Sequence, residues 1–475
     1  MNTGRQAGTD GRIVIVGASL AGLRAAEALR DQGFKGQLTL IGDEPYAPYD
    51  RPPLSKTVLS GWLPVSHTYL PQMRDIQAEW LLGVAATNLN LSEHVVELAD
   101  GRRIPFDRLL ITTGTRARPW PDAEQMALDG VFSIRTLDDG QRLREVLAAN
   151  PKRVLVIGAG FTGSEVASVC RELGLPVTVA ERSAAPLAGA LGGAAGMVAA
   201  RFQRANGVDL RCNVTVLALE GDANGHLRRA HLSDGDALEI DVAVVALGAV
   251  RNVEWLLSSG LAVDARGVVC DGACRAFDAN GIVLDDIFVA GDVARWPHPL
   301  YDGQLLAVEH WGNAVEQAET AAHNMLCEPA QRKPHRPLPT FWSNQFGLNI
   351  KAVGLPTVAD QIVVTQGAVE RRRFVAAYGL KGRLVAAVAV NMPRSLGIYA
   401  EMIQERAAFP PRLNAPDGPE ELQVRPSGFP APGQSTHSPV ATSTGPGPGT
   451  PPQPAGGPDM NGSSDPRVPS GPTSI

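Results

Sequence analysis

The chain has 475 residues, with 43 Lys and Arg against 49 Asp and Glu, a formal charge of -6 and 44% hydrophobic residues. That length exceeds a single hydrophobic core and predicts roughly two to four domains, while the mild acidity argues against a nucleic-acid binder and leaves only local basic patches. Five scattered cysteines exclude a disulfide framework. With no apolar h-region in "MNTGRQAGTDGR" and no apolar run near the about 20 residues that span a bilayer, a cytoplasmic protein away from membranes is expected.

The first predicted unit is "RIVIVGASLAGLRAAEALRDQGFKGQLTLIGDE", beginning at Arg12. An apolar β-branched run leads into a glycine turn, a helix-period stretch with alanines at the packing positions, and a second apolar strand ending in an acid. Gly17 and Gly22 stand at the first and third glycine positions of the dinucleotide fingerprint, and Ser19 takes the second. That site must be small so that backbone can approach a pyrophosphate, and serine adds one hydroxyl able to donate to it. Asp43 and Glu44 follow the second strand, and either could hold a ribose.

The second unit, "RVLVIGAGFTGSEVASVCRELGLPVTVAER", begins at Arg153 and repeats the design with Gly158, Gly160 and Gly163 complete and Glu181 ending its second strand. A lone glycine pattern is weak. Here it follows a strand and opens a helix, which puts pyrophosphate on the helix N-terminus and a carboxylate on the ribose hydroxyls. Two such units imply two nucleotides, FAD and NAD(P)H. Glu181 favours NADH because a carboxylate repels a 2'-phosphate, and the adjacent Arg182 keeps NADPH as second choice.

Three further segments run from an apolar strand into a glycine: "DRLLITTGTRARP" with Thr113, Gly114 and Arg118, "DVAVVALGAVRN" with Gly248, and "DDIFVAGDVARW" with Gly291 and Asp292. Strand-end glycines let backbone approach a ligand closely. The expected organisation is therefore a discontinuous FAD-binding domain at 12–119 and 249–330 with an NAD-binding domain inserted at 120–248. Cys270 and Cys274 lack a nearby histidine and the C-x-x-C spacing, so they read as small side chains near a turn, and no metal is expected.

From about Pro334 the pattern becomes "QIVVTQ", "RRRFVAAYGL" and "RLVAAVAVN", with "LKGR" as a hairpin turn, predicting a small α+β domain over 331–426. Alternation along a strand would send Arg371, Arg372 and Arg373 to opposite faces, so that at most part of the run joins Lys381 in a docking patch, and a solvated strand edge protected by charge accounts for the run equally well. Trp342 reads as a core tryptophan. Residues 1–11 and the Pro, Gly, Ser and Thr tail at 427–475 cannot bury a core and are expected to be disordered.

Taken in order, "IVGASLAGLRAAEALR", "GDEPYAPYDRPPLSK", "TTGTRARP", "VIGAGFTGSEVA", "ALGAVRN", "VAGDVARW" and "FWSNQFGLNI" resemble the ferredoxin reductases of bacterial oxygenase systems, over about Arg12 to Asn391. The resemblance implies an α/β, glutathione-reductase-like fold: two Rossmann-type dinucleotide-binding domains plus a C-terminal α+β domain. It implies that Gly17, Ser19, Gly22, Asp43 or Glu44, Arg51, Lys56, Thr113, Gly114, Arg118, Gly291 and Asp292 serve FAD, with Trp311 against the isoalloxazine, and it offers for Trp342, as the second choice after a core tryptophan, a place between flavin and partner. Gly158, Gly160, Gly163, Glu165, Glu181 and Gly248 would serve NADH. Disulfide reductases of this fold carry a cysteine pair where this chain has "YDRPPLSK", and no cysteine precedes Cys170. The resemblance instead pairs Lys56 with Glu165 beside the flavin, a fixed charge favouring anionic reduced flavin. The implied partner is a small two-iron ferredoxin feeding a cytochrome P450 or a Rieske-type oxygenase. Reduction of a rubredoxin or a small radical such as monodehydroascorbate, or a redox-sensing role like that of the apoptosis-inducing factors, stands as the alternative.

Overall fold

The computed structural model describes residues 10–412, so of the segments read as disordered only Asp10 and Gly11 are described. Strand Arg12–Val16, buried from Ile13 onward, lies parallel to Gln37–Gly42 and to Arg108–Ile111. Glu79–Leu82 adds one edge; Val283–Val289 and Arg275–Phe277 add the other, completing six strands drawn from both sides of residues 120–248. The unbroken apolar runs follow from burial on both sheet faces. Helix Leu20–Asp31 buries Ala21, Leu23, Ala25, Ala26 and Leu29, and helix Trp311–Leu326 packs on it through Ala314, Ala318, Ala321 and Ala322.

The second sheet has five parallel strands in the order Asp209–Cys212, Val177–Glu181, Val154–Ile157, Val242–Val245 and Val131–Phe132. The two units superimpose in register: the Gly17 amide donates to the Ile41 carbonyl and the Gly158 amide to the Ala180 carbonyl. By that register the counterpart of Glu181 is Gly42. The first unit's second strand therefore ends at Gly42, and its acids, Asp43 and Glu44, lie just beyond it, whereas Glu181 is the last strand residue of the other. An antiparallel ribbon of Thr115–Ala117 with Ala249–Arg251 joins the segments that leave and re-enter the first sheet. We propose the limits 12–119 with 249–330, 120–248 and 331–426 as the domains, a division that these sheet memberships support.

The last sheet is antiparallel, in the order Thr340–Gln345, Leu348–Gly354, Arg383–Val390, Arg373–Leu380 and Gln361–Ala368, and is backed by helix Leu396–Gln404. Lys381 and Gly382, both at positive φ, make the two-residue turn between the last hairpin's strands. The arginine run departs from expectation. Only Arg373 belongs to a strand, Arg372 turns the chain at φ 54 with its guanidinium over the Phe202 ring, and all three are exposed. Lys381 lies at the other end of that strand, some ~25 Å away, so the four cations form no common patch. Cys270 and Cys274 are fully buried. Among the described residues no group of His, Cys, Asp or Glu is arranged to hold a metal, and no helix is long and apolar enough to cross a membrane.

Candidate functional site

The glycine turns come first, because their shape is dictated locally. A Cβ on Gly22 would stand 2.0 Å from the Gly17 carbonyl oxygen, and one on Gly163 would stand 2.0 Å from the Gly158 carbonyl oxygen. Both helices thus press onto the turns that precede them. Ser19 and Gly160, their N-caps, make no side-chain cap bond, and neither helix has an acid in its first turn. Around Gly160 a Cβ would meet nothing within 4 Å. Two uncapped helix N-termini beside small residues suit two pyrophosphates.

Glu44, Tyr49, Arg51, Arg135, Thr115 and Asp292 form one hydrogen-bonded set. Glu44 is held by Arg51 at 2.6 Å and by the Tyr49 hydroxyl, while Arg51 also donates to Tyr49 and to the Arg135 carbonyl. Asp43 is exposed, leaving it as the accessible acid beyond the strand. Asp292 accepts from Thr115 and from Arg135, each at 3.2 Å. Thr113 and Asn252 bond each other reciprocally at 2.8 Å, which ties the Gly114 turn to the chain leaving Gly248. The Gly291 amide donates to Gln317. Arg118 is exposed and donates to the Ala249 carbonyl, outside this set. In the second unit the Glu181 carboxylate accepts from the Ala159 and Ser183 amides at 2.7 and 2.6 Å, at the mouth of the glycine turn.

An ion pair joins the segment after the first unit to the helix of the second. Lys56 ends the short helical turn Pro52–Ser55, where Pro52 and Pro53 preset the backbone. Its Nζ stands 2.6 Å from Glu165 Oε2 in the helix Phe161–Glu172. Lys56 keeps 20% of its side chain exposed and Glu165 only 6%. Ser55 donates to the same oxygen and Ser343 to Oε1, both at 2.6 Å. The Trp311 indole donates to Asp50 at 3.0 Å, and burial pushes the Asp50 carboxyl up against the lowering effects of that bond and of Lys56.

Trp342 is a correction. It is 38% exposed, edge-on to His310 at 4.7 Å and 6.4 Å from Trp311, because it stands on the outward face of strand Thr340–Gln345 while Ser343 and Gln345 turn inward. His310 caps helix Trp311–Leu326 by accepting the Gly312 amide, and burial pushes its pKa down to about 4. The unfolded chain binds that proton first, so stability is full above the ordinary value of 6.5 and is lost as pH falls toward 4. His335, pushed down to about 3 by burial, adds to the slope. His310→Asn, which retains an N-capping side chain, is expected to remove up to about 3 kcal/mol of the acid-side decline, measured as urea midpoints between pH 7 and pH 4.

Tyr49, Asp50, Ser55, Arg135, His310 and Ser343 were not anticipated. Tyr49, Asp50 and Ser55 flank or lie within "RPPLSK", and Arg135 precedes the Thr136–Asp139 capping box, so proximity to those signals could have suggested them. Nothing local marks Ser343.

Fold and site together define an oxidoreductase of disulfide-reductase architecture with two nucleotide-binding units, in which the segment after the first unit holds Lys56 and no cysteine. A family model of the pyridine nucleotide-disulphide oxidoreductases matches residues 11–318, and one named for the reductase C-terminal domain matches 340–421. The ferredoxin–NAD(+) reductase component of the biphenyl dioxygenase system of Paraburkholderia xenovorans is 33% identical over 407 residues, covering 83% of this chain and 94% of the relative. Rhodocoxin reductase of Rhodococcus erythropolis is 35% identical over 387 residues, covering 80% and 87%. The solved covalent complex of putidaredoxin reductase with putidaredoxin aligns at TM-score 0.77 and 30% identity, covering 83% of this chain and 93% of that one. This chain belongs to the pyridine nucleotide-disulphide oxidoreductase family, in its ferredoxin–NAD(+) reductase branch.

Proposed function

We propose that this chain is an NADH-dependent, FAD-containing reductase that passes electrons singly to a small two-iron ferredoxin serving a cytochrome P450 or a Rieske-type oxygenase. The observation that carries the reading is the Lys56–Glu165 pair, which joins the segment after the first unit, where a thiol-dependent enzyme would need cysteine, to the helix of the second. When bound, FAD supplies the step from a two-electron hydride to two single-electron transfers.

The protein's part is to bind, orient and hold charge. Gly17, Ser19 and Gly22 would receive the FAD pyrophosphate and Asp43 its ribose, since Glu44 is committed to Arg51 and Tyr49. Arg51, Thr113, Gly114, Gly291 and Asp292 would line the rest of that site with Arg135, which bonds Asp292 as the exposed Arg118 does not. Gly158, Gly160, Gly163 and Gly248 would form the NADH channel. Glu181 would exchange its amide partners for ribose hydroxyls, a trade unfavourable to a 2'-phosphate. Lys56 would hold a fixed positive charge beside the flavin, with Glu165 limiting its movement. Trp311 would stand against the isoalloxazine, anchored by Asp50. A cytoplasmic location belongs to the same proposal, supported by five cysteines that are all unbonded.

The test is an anaerobic titration of the FAD-loaded protein with NADH and with NADPH in a stopped-flow spectrometer, followed by mixing with a two-iron ferredoxin. Rapid bleaching by NADH and reoxidation by ferredoxin are expected. A flavin that NADH reduces but ferredoxin leaves reduced would overturn the partner assignment.

A further inference from the structure

Glu165 is 5% exposed, and its carboxylate is satisfied by side chains from two distant segments. Oε2 carries two donors, Ser55 and Lys56, both from the "RPPLSK" turn, whereas Oε1 receives the Ser343 hydroxyl. Ser343 is itself fully buried, and its direction is set: Gln345 Nε2 donates to the Ser343 oxygen at 3.1 Å, leaving the hydroxyl proton for Glu165. The strand is pinned to the same helix by a second contact, the Phe346 amide donating to Ser168 at 2.7 Å. A serine hydroxyl donates one proton, and here that proton is committed to the carboxylate that faces Lys56.

From this geometry we infer that Ser343 is a positioning residue for the redox site: it holds the second oxygen of Glu165, so that the carboxylate restrains Lys56 without drawing it from the flavin. The inference rests on the proposed placement of Lys56 beside FAD. Without the hydroxyl, Oε1 becomes a buried acceptor with no partner. The carboxylate then takes its compensation from Lys56, the one mobile cation bonded to it, and the ammonium is drawn away from the place where negative charge develops. Strand Thr340–Gln345 thereby presents Ser343 to the redox site and Trp342 to the surface one residue apart.

The experiment compares FAD-loaded wild type, Ser343→Ala, Ser343→Thr, Lys56→Met and the Lys56→Met/Ser343→Ala double variant. It measures the flavin midpoint potential and the rate of reduction by NADH. For Ser343→Ala we expect a more negative potential and reduction slowed about tenfold. Ser343→Thr, which keeps the hydroxyl, should restore both. In the double variant the alanine should cost nothing beyond Lys56→Met. Should Ser343→Ala fail to retain flavin, Ser343→Cys, of similar volume and weaker donor strength, should show the same displacements. Wild-type potential and rate in the flavin-loaded alanine or cysteine variant would overturn the inference, as would a full tenfold loss added to Lys56→Met. If Lys56→Met itself leaves potential and rate unchanged, the placement of Lys56 fails and the Ser343 inference falls with it; a strong Lys56→Met effect beside a silent Ser343→Ala refutes Ser343 alone.

Discussion

Lys56→Met is expected to slow NADH reduction of the bound flavin about hundredfold and to lower its midpoint potential, with the FAD content of the purified protein little changed. The magnitude follows from removing one preorganised charge from a largely buried position, where such a group typically contributes a factor of about 10²–10³. Methionine preserves the length and most of the packing of the lysine stem, so the loss is of charge. The opposite partner supplies the sign check. Glu165→Gln leaves Lys56 without its neutralising anion, so the same site becomes more positive and the potential should rise. Both variants lose stability, because Lys56→Met leaves the buried Glu165 without its cation and Glu165→Gln leaves Lys56 without its anion; complete burial of such a broken pair costs about 3–5 kcal/mol, and the 20% exposure of Lys56 reduces that figure for Glu165→Gln. Potentiometric titration of the two variants is the measurement. Shifts of the same sign would show that the pair does not act on the flavin through charge.

A second large effect is expected at the paired glycines, and it separates the two nucleotide sites. Gly22→Ala puts a methyl group 2.0 Å from the Gly17 carbonyl oxygen, inside any real contact distance, and the neighbour is backbone that cannot swing away. The helix Leu20–Asp31 must lift from its turn, at an overpacking cost of about 1–3 kcal/mol or more, and the pyrophosphate loses the amides at the helix start. The variant should be purified colourless. Gly163→Ala meets the same 2.0 Å obstacle at Gly158, but in the unit assigned to NADH. That protein should remain yellow and be reduced by dithionite as before, with its KM for NADH raised at least about tenfold. Flavin content by absorbance and NADH titration of the same preparations give the comparison. A colourless Gly163→Ala beside a yellow Gly22→Ala would reverse the assignment of the two units.

The stretches legible in the sequence share a short range. Gly22 meets Gly17 within a single turn, the proline pair sets the backbone before Lys56, and Lys381 with Gly382 turns a hairpin between adjacent strands. In each, covalent connectivity limits the geometries open to the chain, so residue type and spacing suffice. The burial of Trp342 and the strand placement of Arg371 and Arg372 were misjudged for the complementary reason. Alternation along a strand assigns faces only once the strand's limits are known. The strand begins at Arg373 and not at Arg371, and whether Trp342 faces a core or solvent depends on what packs over it.

The sequence by itself therefore determined two turn-and-helix nucleotide units, a first unit followed by no cysteine before Cys170, and a separate antiparallel C-terminal sheet. Tertiary structure alone decided which acid remains accessible beyond the first unit, with Glu44 drawn into the Arg51 and Tyr49 cluster and Asp43 left exposed. It also decided that Glu165 is clamped from both sides, by Lys56 at a separation of 109 residues and by Ser343 at 178. Hydrogen bonds of that span are set by how separately formed sheets dock, and a buried carboxylate accepts whichever donors the docking delivers.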